Sequence, residues 1–375
     1  ATLVATGGGA RMYSIAAPSL EKSGDGMALC YRAGCMMRDM EMFQFHPTGL
    51  VAGKSILTGA VLEEGLRGAG GYLFNAVGER FMERHDPQRM ERSTRDLVSR
   101  AAYMEIQAGR ATPDGAVLLD VSHLGAKFVE NTFPGMVERC REVGFDLARA
   151  PVKVSPTAHF HMGGASIDQW CRTGLEGLFV AGEDSGGVHG ANRLGGNGVA
   201  ESTVFGALAG DAMAEFAAGR PQPEADPAQV KKELAEAVRP LRRKDGQEGG
   251  QEGGENIHAI RREIEALMWA QGGLVRDGPG LESAIASLDE MDERASRALV
   301  PPLREYNLAW QEWLNVQNIL TVARLACWSA LARRESRGSH YRSDYPDTDN
   351  REWLCNILVR RGPDGAPLVW REEVK

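Results

Sequence analysis

The sequence contains no run of roughly eighteen apolar residues, the length that a membrane-crossing helix needs. It also lacks the basic excess typical of nucleic-acid-binding proteins, because its formal net charge is −8 at pH 7. The six cysteines are scattered without the paired spacing of a metal site, which favours reduced thiols in a cytoplasmic compartment. These absences predict a soluble globular chain that binds no nucleic acid and would reach a membrane only through a partner.

The beginning of the sequence lacks a methionine and the architecture of a signal peptide. Residues 1–9 read as a buried strand that runs into a glycine turn at Gly7 and Gly8. No G-x-G-x-x-G fingerprint follows a plausible strand, so the usual pyrophosphate-binding turn of a dinucleotide-binding fold is missing. We therefore expect a truncated chain, although 375 residues still suffice for two or three domains.

Hydrophobic periodicity and glycine stops predict the secondary structure outside the central stretch. The expected elements are a short helix ending at Gly34, an amphipathic helix from Arg95 to Gly109, a strand at 117–120, a helix from Pro134 to Gly144, a linker at 219–223, and core helices around 257–267 and 313–327. A polar glycine repeat at residues 246–254 cannot bury apolar surface and is predicted to be a mobile loop.

Residues 156–205 form the stretch around which the rest of the chain is organised. A short apolar run at 177–183 predicts a buried strand that ends on glycines, and an apolar pattern directly behind them predicts a helix. A strand, a glycine turn and a helix N-terminus form a binding site for an anion or a cofactor. Because His159, Arg193 and Asn197 crowd the same segment, we predict a ligand site here.

Motifs along the whole chain resemble one family in content and in order. They are Phe43-Gln-Phe-His46-Pro-Thr-Gly49, Glu64-Gly-Leu-Arg67-Gly, Arg95-Asp-Leu-Val-Ser-Arg100, His159-Phe-His161-Met-Gly163-Gly164, His189-Gly-Ala-Asn-Arg193-Leu-Gly195, and Arg334-Glu-Ser-Arg337-Gly-Ser-His-Tyr341. The sequence resembles the flavoprotein subunit of succinate dehydrogenase and fumarate reductase, whose relatives include L-aspartate oxidase. Six motifs in the same order make coincidence an unsatisfactory explanation.

The resemblance implies an α/β plus α fold. Residues 1–49 and 156–220 would form the C-terminal part of a two-dinucleotide-binding-type FAD domain, residues 50–155 an inserted α+β capping domain, and residues 221–375 a C-terminal helical domain. It also implies FAD, a small carboxylate substrate, and an iron–sulfur partner subunit that connects the protein to a membrane anchor at the inner face of the membrane.

By the same resemblance, the protein would interconvert succinate and fumarate by hydride transfer at flavin N5. Arg95 would move the accompanying proton, and Glu64 and Arg67 would form its relay. An arginine has a free pKa above about 12, so this role requires a dry site and a resupply of the proton. Arg337 and Tyr341 are interpreted as structural residues.

The resemblance also assigns substrate and cofactor contacts. Arg193 and His159 would bind one substrate carboxylate, since a planar guanidinium matches it, and His46 would bind the other. The predicted cofactor contacts are Gly7, Gly8, Glu183, Asn197 and Gly198.

Three positions depart from the family pattern, namely Glu63, His161 and Gly198. Glu63 stands where the family has a threonine that donates to the second carboxylate, and a carboxylate there would repel a dicarboxylate. An enzyme similar to L-aspartate oxidase, or a divergent one acting on another carboxylate, therefore remains an alternative.

Two further alternatives lie outside this enzyme class. His159 and His161 would share one face of a strand, so with His46 or His189 they could hold zinc. The chain could also be an inactive fragment without a pyrophosphate site.

Overall fold

The computed structural model describes residues 1–242 and 255–374, so the predicted loop at 246–254 lies outside the described residues. The strands are β1 (Thr2–Val4), β2 (Met37–Arg38), β3 (Phe43–Leu50), β4 (Tyr72–Phe74), β5 (Val117–Asp120), β6 (Val152–His161), β7 (Gly164–Ser166), β8 (Leu178–Val180), β9 (Ser185–Gly186), β10 (Cys355–Arg361) and β11 (Pro367–Glu373). The α-helices are α1 (Asp25–Ala33), α2 (Gly65–Gly68), α3 (Met82–His85), α4 (Arg95–Gln107), α5 (Ala126–Thr132), α6 (Pro134–Arg141), α7 (Asn197–Ala217), α8 (Pro227–Ala237), α9 (Ile257–Gln271), α10 (Gly278–Ser296) and α11 (Leu308–Ala332). Short 3-10 helices occupy Ala10–Met12, Met90–Arg92, Ser122–Leu124, Gly182–Asp184 and Arg239–Arg242.

The strands form three sheets, of which one is parallel, one mixed and one antiparallel. β1 pairs in parallel with β8, a second sheet has the order β11-β10-β2-β7-β9, and a third has the order β3-β6-β5-β4. One hydrophobic core joins α1 and the central strands to α9, α10 and α11, and a separate core fills the capping region. Within the described ranges, no helix is both long and apolar enough to cross a membrane.

Most predicted elements are confirmed, and their ends have local causes. α1 ends at Gly34, whose φ of 95° allows its N–H to reach the carbonyls of Cys30 and Tyr31. The predicted helices at 95–107 and 134–141, the strand at 117–120, the core helices and the strand and helix of the central stretch are all present. β1, however, is not buried as predicted: Leu3 is 38% exposed because β1 has only β8 as its described neighbour.

β3 and β6 form a continuous antiparallel ribbon that runs from the FAD-binding part into the capping part. Its capping end is Leu50, which pairs with Val154, and both side chains lie in the capping core. The ribbon is irregular at two places, between Gln44 and Phe45 and again between His46 and Gly49. These irregularities rotate neighbouring side chains relative to a regular strand. The domain boundaries at 49/50 and 155/156 therefore fall inside a hydrogen-bonded ribbon and stay a prediction.

The segment after α11 holds the C-terminal part against the rest through buried polar contacts. Arg333 donates to Glu41 at 2.7 Å and to Glu335 at 3.0 Å, and Glu335 also accepts from Arg337 at 2.8 Å. Tyr341 stacks under the Arg100 guanidinium at 4.3 Å. These contacts support the interpretation of Arg337 and Tyr341 as structural residues.

Candidate active site

A cavity of about 990 Å³ lies between the FAD-binding part and the capping part of the chain. Its charged or polar lining includes Thr6, Lys22, Arg95, Arg139, His159, Glu183, Arg193, Ser202 and Thr203. The apolar lining comes from both parts, with Val61 on the capping side and Phe160 on the FAD-binding side. The fold thus brings residues that are far apart in sequence to one open cleft, which is a common form of a small-molecule site.

Arg95 is held in place at the first turn of α4 by two neighbours. Its Nε and Nη2 donate to Glu64 Oε2 at 3.0 and 2.7 Å, and its Nη1 donates to Gln44 Oε1 at 3.1 Å. Arg67 is buried and donates to the other oxygen of Glu64 at 3.2 Å. The three residues predicted as proton donor and relay therefore form one continuous ion-pair network.

Glu64 is the member of this network that reaches solvent, with a side chain 46% exposed. Partial burial alone would raise its pKa, but the hydrogen bonds and charges of Arg95 and Arg67 outweigh burial, so its pKa lies below the usual value. Gln44 was not identified from the sequence as a site residue. It belongs to the site because its amide also donates to the Arg193 carbonyl at 2.7 Å.

Arg193 and His159 form a defined pair in the cavity wall. Arg193 Nη2 lies 3.0 Å from His159 Nε2, and a guanidinium only donates, so His159 accepts there and carries its own proton on Nδ1. Burial, then the charges of Arg193 and Arg95, lower the pKa of His159 to about 4. The Arg193 guanidinium also lies 4.3 Å from the centre of the Phe160 ring.

Two further observations show what this pair could bind. Arg193 lines the cavity, and its Nε is buried without a hydrogen-bond partner within the described residues. The ring of His46 lies 5.6 Å from that of His159. Burial, followed by the charge of His159, lowers the pKa of His46 well below its usual range. Of the four predicted substrate-binding residues, His159 and Arg193 therefore line the cavity, and His46 is buried beside His159.

The expectation that His159 and His161 share one strand face is wrong. Gln44 pairs with Phe160 and Phe45 pairs with Ala158, so His159 is the extra residue of a β-bulge. The bulge lets His159 and Phe160 both line the cavity, whereas His161 turns into the core and its Nε2 donates to the Met40 carbonyl at 3.0 Å. Across residues 1–242 and 255–374, no three His, Cys, Asp or Glu side chains come together as metal ligands.

Of the predicted cofactor residues, Gly7, Glu183 and Gly198 line the wall of the cavity, and Gly8 and Asn197 lie next to them in the chain. Glu183 accepts from the His161 N–H at 2.9 Å and pairs with Lys22. A Cβ at Gly8 would lie 2.3 Å from Glu183 Oε1, and a Cβ at Gly198 would lie 2.9 Å from the Phe160 ring, so both positions require glycine. Asn197 begins α7, whose N-terminal backbone faces the cavity at Gly198.

Asp184 is a further residue of this wall that the sequence did not reveal. It accepts from the Gly7 N–H at 2.7 Å and from the Thr6 hydroxyl at 3.0 Å. Burial raises the pKa of Asp184 to about 6, although those hydrogen bonds act in the opposite direction. Its contacts fix the Gly7 turn next to Glu183. Together with the α7 N-terminus and the glycine positions, this wall fits the ring and ribityl part of a flavin.

The comparison with known families shows the family to which the chain belongs. A model of the FAD binding domain family matches residues 1–199, and a model of the fumarate reductase flavoprotein C-terminus matches residues 261–375. The chain belongs to the fumarate reductase and succinate dehydrogenase flavoprotein family. The predicted family, the fold class and the FAD cofactor are thereby confirmed.

Individual flavoproteins of this family show how far the similarity extends. The chain is 37% identical over 386 residues to the fumarate reductase flavoprotein of Mycobacterium tuberculosis, covering 98% of this chain and 65% of that protein. It is 34% identical over 376 residues to L-aspartate oxidase of Synechocystis, with coverage of 96% and 64%. A solved structure of Escherichia coli quinol fumarate reductase superposes with a TM-score of 0.87 at 34% identity, covering 100% of this chain and 65% of that one. The chain thus spans slightly under two thirds of the length of these flavoproteins.

Glu63, the main departure from the family pattern, does not line the cavity of this flavoprotein. Its side chain is exposed, and its backbone N–H contacts Met136 Sδ at 3.4 Å on the capping surface. The predicted repulsion of a second carboxylate requires Glu63 to face the substrate. Its role as a substrate-binding residue therefore stays a prediction.

Proposed function

We propose that the chain is the catalytic part of an FAD-dependent oxidoreductase that interconverts succinate and fumarate or a closely related dicarboxylate. The observation that carries this proposal is the convergence of two fixed arginines, Arg95 and Arg193, on one cavity. Arg95 is anchored by Glu64, whose carboxylate reaches solvent, and Arg193 has an Nε without a partner among the described residues. FAD, when bound, supplies the hydride chemistry.

Arg193 and His159 would bind and orient one substrate carboxylate. The Arg193 guanidinium and the Nδ1–H of His159 are donors in side chains that line the cavity, and a charge-assisted bond from a guanidinium is among the strongest that a carboxylate accepts. His46 would donate to the other carboxylate from the neighbouring strand. Because both imidazoles have lowered pKa values, they act as neutral donors at pH 7.

Arg95 would deliver or accept the proton at the substrate carbon. Its free pKa, above about 12, means that it can give up a proton only when another group replaces that proton at once. Glu64 is placed to do so, since it touches both Arg95 and Arg67 and is half-exposed to solvent. In this arrangement Glu64 exchanges protons with water and Arg95 delivers them inside the cavity.

Oxidation of aspartate is a second candidate, given the similarity to L-aspartate oxidase. An ammonium group on the substrate would need a free acceptor in the cavity. Glu183 lines the cavity but pairs with Lys22, and Glu64 pairs with Arg95 and Arg67. Glu63 is exposed. These pairings favour a dicarboxylate without a cationic group.

We also propose that electrons pass to or from an iron–sulfur subunit that connects the protein to a membrane anchor at the inner face of the membrane. The similarity to quinol fumarate reductase supports a partner of this kind. Iron analysis of the protein purified with its natural partners would test the assignment.

The Arg95→Lys variant of the FAD-loaded protein tests the proposed mechanism. Lysine keeps the charge but loses the fork that engages Glu64 and Gln44 together, so turnover of fumarate should fall by roughly a hundredfold or more. Flavin content should not change. The control is Arg100→Lys on the same helix, because Arg100 stacks on Tyr341 instead of lining the cavity. A rate above about a tenth of the parent rate would exclude Arg95 as the proton donor.

A further inference from the structure

Arg139 is a cavity-lining cation to which neither the motifs nor the resemblance assigns a role. In the part of the chain that the structure describes, four cationic side chains line the cavity: Lys22, Arg95, Arg139 and Arg193. Lys22 is paired with Glu183 and Arg95 with Glu64, and Arg193 is bonded to His159. Like Arg193, Arg139 has no carboxylate of the described residues within salt-bridge distance, and unlike the other three it makes no hydrogen bond to a described side chain.

The position of Arg139 is nevertheless fixed. It lies on α6 and is partly buried, and its Nη1 donates to the carbonyl oxygen of Val61. No other hydrogen bond from its guanidinium to a described side chain or carbonyl is present, so Nε and Nη2 remain free for an anion in the cavity. A guanidinium that is held by one nitrogen and free at the others is ready to bind a carboxylate.

The Val61 segment runs beside the strand that carries His46. Val61 forms a β-bridge with Gly49, and the Thr48 hydroxyl donates to the Leu62 carbonyl at 2.6 Å. The Thr48 N–H in turn lies 3.3 Å from His46 Nδ1. Arg139 therefore lines the cavity and is anchored to the segment that runs beside the strand of His46, the residue proposed to bind the second carboxylate of the substrate.

We propose that Arg139 is a specificity-determining residue that binds the second carboxylate of a dicarboxylate substrate together with His46. It would supply the donor that Glu63 cannot supply, because Glu63 is a carboxylate and points to solvent. This inference rests on the proposed function. It differs from that function in naming the residue that distinguishes a dicarboxylate from a monocarboxylate.

The test compares fumarate with crotonate, in which a methyl group replaces one carboxylate. In the FAD-loaded protein, Arg139→Gln should raise the KM for fumarate roughly tenfold or more while kcat changes less than about threefold, since the lost contact to the carboxylate is made equally in the ground state and in the transition state. The inhibition constant of crotonate should not change. Arg139→Lys should recover part of the affinity for fumarate, which also covers the case in which the glutamine variant does not fold.

Arg141→Gln on the same helix is the matched control, because Arg141 is exposed and pairs with Glu138 outside the cavity. An unchanged KM for fumarate in the Arg139 variants would overturn the inference alone, and so would an equal rise in KM for the Arg141 control. A parent protein that neither binds nor reduces fumarate would overturn the proposed function and this inference with it.

Discussion

Acidification should destabilise the protein through His161, a histidine that the fold keeps neutral. Its side chain is fully buried, Nε2–H donates to the Met40 carbonyl, and Nδ1 has no partner among the described residues. The Phe43 ring lies 5.0 Å away, so a protonated imidazole would find no acceptor on that side. Burial accordingly lowers the pKa of His161 from 6.5 to about 4.

The sign and size of the effect follow from these two pKa values. Below pH 6.5 His161 is protonated in the unfolded chain, whereas in the folded protein it stays neutral down to about pH 4. The contribution of His161 to stability is therefore complete above pH 6.5 and is lost as the pH falls. At pH 5 the medium is about 1.5 units below the unfolded pKa. At about 1.4 kcal/mol per unit, His161 should cost about 2 kcal/mol of unfolding free energy between pH 7 and pH 5.

The assay is urea unfolding at pH 7 and pH 5 for the parent and for His161→Gln. Glutamine can still donate to the Met40 carbonyl but does not titrate, so the variant should lose about 2 kcal/mol less than the parent over this interval. The parent and the variant must be compared because two carboxyl groups also titrate in this interval. Burial raises the pKa of Asp39 to about 7 and that of Asp184 to about 6, so both groups stabilise the folded protein as the pH falls, whereas His161 destabilises it. His258→Gln, at an exposed site, controls for the loss of any histidine. An equal loss in parent and His161→Gln would refute the reasoning.

Two more substitutions test the cofactor wall and the capping surface. Gly8→Ala should reduce FAD retention and lower the free energy of unfolding by about 1–3 kcal/mol, since its Cβ would displace the Glu183 carboxylate. The control is Gly135→Ala, whose added Cβ would meet nothing within 4 Å and should change neither quantity. Equal FAD content in both variants after desalting would contradict this expectation. Because Glu63 is exposed, Glu63→Thr should leave the KM for fumarate within about twofold of the parent value between pH 6 and pH 9. A large decrease in this KM would show that Glu63 faces the substrate.

The parts of the fold that the sequence predicted are those with local causes. α1 ends where Gly34 supplies a positive φ, and α9 and α11 are visible as apolar stripes because one face of each is buried. The site residues Arg95, Glu64 and Arg193 were predicted from motifs, and the structure brings them to one cavity. Their roles in the reaction stay predictions.

The features that the sequence did not predict depend on pairing between distant segments. The bulge at His159 arises only when β6 pairs with β3, and without it a period of two places His161 on the wrong face. Gln44 and Asp184 read as ordinary polar residues until the Arg95 side chain and the Gly7 turn are brought against them. The exposure of β1 likewise depends on which strands flank it, not on its apolar composition.

The ribbon of β3 and β6 limits how the two halves of the cavity can move relative to each other. Hydrogen-bonded strands bend and twist but do not stretch, so the capping part can tilt about this ribbon and cannot slide away from it. The positions at which the ribbon bends are its irregular ones, which lie at His46 and His159. A tilt of the capping part about the ribbon would therefore move the same side chains that would hold the substrate. Opening of the site and release of its ligand would then occur in the same movement.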